Sequence, residues 1–590
     1  MSERSTSAWL HEQRTGLLRH CVQRDPREHY FGLGDKTGAL NLHGRRLRCM
    51  GLDSIGYDPQ QGDPLYKHWP FLITRTVDGL WTGIYYDTLA ACTFDLGCEH
   101  DNYHGLYRST EIDDGDLDYY FMVGNTPAEV ISQFVQLIGG THLPPRWTLG
   151  YAQTAMGLAD APDAQEQLSH FIDRCAEHRI PISAFHYGSG YSSRGKQRYV
   201  FTWNRSKFPD PKAVNAKFHA AGMHLVANLK PCLLDDHPAY AELAAQHAFV
   251  SHRSNEQPVV EPFWDGQGAH LDFTRPVAVA WWKSNLKSQI HDFGMQVGWN
   301  DNNEYGIAAE DAYSEAGGLK LPIHRSRPLH ALLMTRATFE AQLSTGDTNS
   351  AFTVTRAGPP GIQRYAQTWS GDNTTNWDNL KWNIRTGLQM SLSGMFNVGH
   401  DVGGFFGPMP DPELFLRWVQ ACSLNPRMVM NSWKAGNVSN VPWMHSEVTD
   451  AVRSAIALRY QLLPYMWQCF EQASQSHVPI IRPTFYNFPN DVQCLEDCDD
   501  FMLGEALLVA PVVTQGATQR HLYLPALPHG EQWFDFHTGQ AVGAGRWLEQ
   551  AVDLHSLPLF VRQGKPVNVA DVPAGQMPRY DDLTTRQFVF

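Results

Sequence analysis

The chain contains no uninterrupted apolar stretch of about 18 residues, the minimum for a helix that crosses a bilayer. Its hydrophobic residues, 43% of 590, come instead in short runs broken by Gly, Pro and Asp, the pattern of a large core facing water. Basic charge is also scarce. Against 61 Asp and Glu stand only 47 Lys and Arg, a net charge of −14, and they form no cluster, which argues against a nucleic-acid partner because phosphates need grouped cations. Cysteine is sparse and badly spaced for chemistry. The ten cysteines include only two close pairs, Cys92 with Cys98 and Cys494 with Cys498, and neither has zinc-site spacing or a matching second pair. No His-Glu-x-x-His segment occurs among the 27 histidines, so neither a metal nor a cofactor is expected. The segment Met1 to Ser7 carries charges with no apolar run behind it, which predicts no signal peptide and a cytoplasmic location. Internal repeats and low-complexity linkers are absent too.

What is present is a change of rhythm. Up to about residue 143 the pattern is β-rich, with aromatic strand candidates such as Trp69–Thr74, Gly83–Tyr86 and Tyr119–Val123 separated by Gly, Asp and Pro. From 144 to 486 strand, loop and amphipathic helix alternate. Strands are predicted near Leu149–Gln153, Ile182–His186, His224–Leu229, Val297–Asp301, Ala351–Arg356, Thr368–Gly371, Met395–Val398 and Ile480–Thr484, the number a closed (β/α)8 barrel requires. Helices over Ala164–His178 and Pro276–Phe293 suit the crossovers, and a long excursion follows the third strand. From 487 to 590 a β pattern returns. The expected fold is α/β, a TIM barrel between an N-terminal β-sandwich (1–143) and a small C-terminal β-sandwich (487–590).

Two segments of the barrel carry chemistry. In Val297-Gly298-Trp299-Asn300-Asp301-Asn302-Asn303-Glu304 and Gln367-Thr368-Trp369-Ser370-Gly371-Asp372-Asn373, an apolar run ends in a carboxylate close to a tryptophan, as at the C-terminal mouth of a parallel barrel. A single Asp after an apolar run is most often a cap or turn residue. Two of them beside tryptophans fit glycosidic cleavage better, where one acid protonates the leaving oxygen and the other attacks or stabilises the anomeric carbon.

These segments resemble those of glycoside hydrolase family 31, the retaining α-glycosidases. The family's Trp-x-Asp-x-Asn-Glu is matched by Trp299 to Glu304, and its Trp-x-Gly-Asp-Asn by Trp369 to Asn373. The resemblance extends from about Tyr30 to about Gly564. It implies Asp301 as nucleophile and Asp372 as acid/base, with Arg356, sixteen positions before Asp372, and Asp401 holding sugar hydroxyls. Trp264, Trp299, Trp369 and Phe405 would wall the pocket, and Asn302 would join the binding residues. Glu304 could be a structural partner of its loop.

The chain also departs from the family. Family α-glucosidases place a Trp-x-Asp-x-Asp-Tyr segment after the second strand, whose second Asp holds the far end of a terminal glucose; here Phe185-His186-Tyr187-Gly188-Ser189-Gly190-Tyr191 puts Ser189 there. A family histidine that contacts the sugar is matched by Asn431. His186, Tyr187, Tyr191, Lys230 and Asp236 are candidate substitutes. The resemblance thus implies exo-acting, α-glucosidase-like hydrolysis of an oligosaccharide or glycoside. An α-galactosidase, α-xylosidase or other α-hexosidase, a transglycosylase and a non-catalytic carbohydrate-binding relative stay open as alternatives. Against the family pattern the N-terminal sandwich is shortened and a distal C-terminal sandwich is expected to be missing after Ala570, which would expose strand edges and allow a homo-oligomer.

Overall fold

A computed structural model describes residues 9–11, 16–99, 105–345, 351–572 and 583–589. At its centre lies an eight-stranded parallel sheet: β1 (Ala152–Thr154), β2 (Ala184–Tyr187), β3 (His224–Leu229), β4 (Val297–Asn300), β5 (Thr353–Thr355), β6 (Ala366–Gln367), β7 (Gly399–Val402) and β8 (Arg427–Met430). Neighbours in sequence are neighbours in space, and β8 pairs with both β7 and β1. Backbone bonds from Thr368 N–H to Asn397 O (3.1 Å) and from Ser370 N–H to Gly399 O (3.2 Å) join the last two edges. The sheet is therefore a closed barrel.

The period-2 alternation of strands decides what the barrel holds. Val226, Val297, Trp299, Phe352, Val354 and Trp369 pack together inside it. The alternate residues face the outer helices: Asn300 Oδ1 accepts from Thr338 Oγ1 at 3.1 Å, and a Cβ on Gly298 would lie 2.5 Å from the Thr338 methyl. Two residues beyond Trp299, the same inward face delivers Asp301 to the mouth. The same alternation carries Val354 to Arg356.

The eighth strand differs from the expected one. Ile481–Arg482 pairs antiparallel with Met502–Leu503 in the C-terminal sheet, and the place in the barrel belongs to Arg427–Met430. An arginine opens that strand, and its side chain is buried because Asp401 neutralises it at 3.3 Å; a hydrophobic pattern cannot show such a pairing. The chain also enters the C-terminal sheet before residue 486, directly after the helix Thr449–Ser476. Strands six and seven are shifted by a few residues from the predicted spans, because pairing across the closure sets the register rather than apolarity.

The N-terminal region is a sandwich of a five-stranded and a four-stranded sheet, with Tyr30, Leu72 and Tyr86 of one meeting Leu47, Phe94 and Ile112 of the other. The C-terminal region has a six-stranded sheet and a two-stranded ribbon, Gln519–Leu524 with Arg546–Ala551. The excursion after β3 folds into a small antiparallel sheet whose turn carries Trp264 to the cavity, and its strand Ser251–His252 pairs with Ala312–Ala316, from the segment after β4, in a second. No described helix is long and apolar enough to cross a membrane.

Candidate active site

Register brings the polar residues together. Pairing of β3 with β4 sets Asn228 opposite Trp299 and Leu229 opposite Asn300, so Lys230 emerges beside Asp301, whose N–H bonds Leu229 O at 2.9 Å. On the other side, β5 sets Thr355 opposite Asn300, and the Arg356 N–H bonds Asn300 O at 3.0 Å. The three strand ends form one row of charge.

Arg356 is the hub. Its guanidinium makes a two-pronged contact with Glu304 (Nε to Oε1 2.7 Å, Nη2 to Oε2 2.9 Å), and Nη2 also meets Asp53 at 2.9 Å. Its Nη1 lies 3.0 Å from Asp372 and 3.4 Å from Asp301. Glu304 is thus the structural partner of the loop, held in the strong fork geometry that arginine offers a carboxylate.

The two carboxylates feel opposite fields. Burial works to raise the pKa of Asp301, but the Lys230 ammonium, Arg356 and the Asn228 amide outweigh it and hold the group well below the usual carboxylate range; Lys230 Nζ stands 3.1 Å and Asn228 Nδ2 3.0 Å away. For Asp372, burial comes first, and the charges of Asp301, Asp53 and Asp401 add to it; against the pull of Arg356 they push the group well above its ordinary value. One acid is kept ionised and the other protonated.

Above them opens a cavity of ≈ 310 Å³. Of the residues expected to bind, Asp301, Asp372, Arg356, Trp299, Asn302, Phe405 and Trp264 line it. Three do not. Trp369 is fully buried, behind the edge of Trp299 at 5.7 Å between centroids. Asp401 is fully buried too, accepting from Arg427 and from Asn431 Nδ2 at 2.9 Å, while Asn431 Oδ1 is buried without a partner. Asp401 is held at about 7 by burial against these partners. Of the candidate substitutes only Lys230 reaches the cavity. Tyr187 and Tyr191 turn their hydroxyls to Asn215 and to the Asn228 carbonyl, His186 is buried beside Trp299 and kept neutral by burial with its pKa lowered to about 3, and Asp236 accepts from Tyr199.

Several lining residues escape a sequence reading. Asp53 and Ile55 come from a loop of the N-terminal sandwich whose Gly56 N–H donates to the Asp372 carbonyl at 2.8 Å and whose Gly51 carbonyl is held by Arg327 at 2.6 Å. Tyr66, from the same domain, takes the Asp372 N–H on its hydroxyl at 3.1 Å. Its ring would overlap any Cβ at Gly371, where φ is +80°, so the residue before the acid must be glycine. With Ser189 and Asn228, Arg198, Met156 and Trp433 complete the lining. Trp433 meets Trp264 edge to face at 6.4 Å, and both are partly exposed at the rim.

Comparison with known proteins agrees with this geometry. Residues 141–469 match the glycosyl hydrolases family 31 TIM-barrel domain, 477–566 the family 31 C-terminal domain, and 3–95 the glycosyl hydrolase 31 N-terminal galactose mutarotase-like domain. The chain belongs to glycosyl hydrolase family 31. As a member it is a glycoside hydrolase acting on O-glycosyl bonds, with α-glucosidases among its relatives. It is 30% identical to alpha-glucosidase 2 of Bacillus thermoamyloliquefaciens over 93% of this chain and 68% of that protein. With the human neutral alpha-glucosidase AB it shares 29% over 91% of this chain, but it spans only 59% of that longer protein. Among solved structures, a Flavobacterium johnsoniae GH31 dextranase complexed with glucose superposes with a TM-score of 0.86 at 26% identity, covering 97% of this chain and 69% of that one.

Proposed function

We propose that this family 31 protein is an exo-acting, α-glucosidase-like hydrolase that works by double displacement with retention. The observation that carries the reading is the single guanidinium nitrogen of Arg356 that touches both Asp301 and Asp372, together with the opposite fields on the two acids. Contacts of 3.4 and 3.0 Å to one atom limit the gap between those carboxylate oxygens to the sum of the two. That bound admits the about 5–5.5 Å spacing of a retaining pair. Asp301 attacks the anomeric carbon as Asp372 passes its proton to the departing oxygen; Asp372 then takes a proton from water, which displaces Asp301. The cavity is small for a ligand pocket, which suits a terminal sugar rather than the middle of a chain.

Proton NMR of the first-formed product tests the reading: retention gives the α-anomer first, and a β-product would overturn it. Asp372→Ala should lose far more activity on an alkyl glycoside than on a p-nitrophenyl glycoside, whose leaving group needs no acid. Transfer to a sugar acceptor is a second reading, favoured by the exposed Trp264 and Trp433 at the rim (45% and 38% exposed), on which an acceptor ring could stack. Longer oligosaccharides among the products at high substrate concentration would support it.

A further inference from the structure

The ladder between the strands that lead to Arg356 and Asp372 stops short of both residues. β5 and β6 pair at Thr353 with Ala366 and at Val354 with Gln367, and both functional residues lie beyond the last pair. A side chain from the N-terminal region joins the two segments there. Lys67 Nζ donates to the Arg356 carbonyl at 2.9 Å and to the Trp369 carbonyl at 2.7 Å, so one ammonium stands where the next rungs of a parallel ladder would be. Its charge is met by Asp35, 3.6 Å away, and neither side chain has any exposure. Burial lowers the pKa of Lys67 and raises that of Asp35, and the charge of each opposes the shift in the other. Lys67 is not among the residues lining the cavity. It therefore acts on the reaction only through what it holds.

The residue before Lys67 holds the same two segments by other atoms. Asp35 accepts the Tyr66 N–H at 3.0 Å, the Tyr66 hydroxyl accepts the Asp372 N–H at 3.1 Å, and the Arg356 guanidinium lies 4.8 Å over the Tyr66 ring. The stretch from Trp369 to Asp372 is thus pinned at its first carbonyl, at Gly371 against that ring, and at its last N–H. The 3.0 Å contact of Arg356 Nη1 with Asp372 depends on both segments keeping one separation, and a misplacement of about 1 Å at a reacting group costs about 10²-fold in rate. We propose that the adjacent pair Tyr66 and Lys67, backed by Asp35, positions the acid/base Asp372 against Arg356 and Asp301. The inference rests on the hydrolase reading above and adds to it the residues that set the placement of the acid.

Two variants test it, on the ethyl and p-nitrophenyl α-glycosides of whichever of glucose, galactose and xylose the native protein cleaves fastest. Asp35→Asn combined with Lys67→Met removes both charges of the buried pair at once, which avoids the uncompensated charge that a single replacement leaves. Tyr66→Phe removes only the hydroxyl that takes the Asp372 N–H and keeps the ring. kcat/KM reports the first displacement, in which the ethyl leaving group needs the acid and the p-nitrophenyl group does not. In both variants it should fall about tenfold to 100-fold on the ethyl glycoside, against no more than about threefold on the p-nitrophenyl glycoside. On the latter kcat and KM should fall together, because the glycosyl intermediate then waits for its base. An equal fall on both glycosides, or none on either, in Tyr66→Phe would overturn the proposal whether or not the double variant folds, and the same result in a folded double variant would overturn it too. Failure of the hydrolase reading looks different: the native protein would cleave none of these glycosides any faster than Asp301→Ala does.

Discussion

Around Arg356 four carboxylates are engaged, and Lys230 and Asn228 share Asp301; elsewhere in the lining Ser189, Trp299 and Arg198 each retain a buried polar atom without a partner. The charges of the first group are paired before any ligand arrives. Its charges are fixed in place, which lets them stabilise developing charge without reorganising. The second set has no such network, and its members meet aromatic faces instead, Arg198 over Trp264 and Trp299 against Trp369.

The sharpest way to break this division is Asp301→Ala, which should lower kcat/KM by about 10⁴-fold or more while sugar binding measured by fluorescence persists. Next comes Arg356→Met. Removing the one cation that four acids share leaves buried carboxylates uncompensated, and a loss of about 3–5 kcal/mol in stability should be visible in denaturant unfolding together with loss of turnover. Lys230→Met probes the edge of the charged group. Lys230 lowers the pKa of Asp301, so its removal lets that pKa rise, and the acid limb of the kcat/KM profile should move to higher pH. The lost charge-assisted bond, worth about 1.5–3 kcal/mol, should cost about tenfold or more in rate, and Lys230→Arg should restore the acid limb.

A subtler test is Asp53→Asn. The charge of Asp53 raises the pKa of Asp372; without it Asp372 should lose its proton at lower pH, and the basic limb should shift down. Because Asp53 is 42% exposed in its side chain, the change in rate at the optimum should stay within about fivefold. The smallest expected effect is that of Trp433→Ala at the rim, a KM about two- to tenfold higher for an oligosaccharide with kcat unchanged. A fall in kcat instead would move Trp433 from the rim to the reacting end.

Legibility in the sequence followed how local the signal is. Asp301, Arg356 and Asp372 each stand just past a strand, in step with the inward face, so their motifs could be read directly. His224–Leu229 and Val297–Asn300 were readable as strands because both faces are buried and the run is apolar. Arg427–Met430 was not, since its arginine is acceptable inside only beside Asp401, a residue of the neighbouring strand. For the same reason Asp401, Asn431 and Trp369 looked like sugar contacts. Their residue types suit a pocket, but three-dimensional packing places them one layer behind it.

The sequence by itself determined the barrel, its flanking β regions, the two acids and the arginine between them, because strand alternation and short motifs act over a few residues. Tertiary structure alone decided that Asp53, Ile55 and Tyr66 of the N-terminal sandwich complete the mouth, that Lys230 stands against Asp301, and that Ser189 lines the cavity. Such contacts join residues far apart in the chain. Their energies depend on distance and on exclusion from water, and neither exists until the chain has folded.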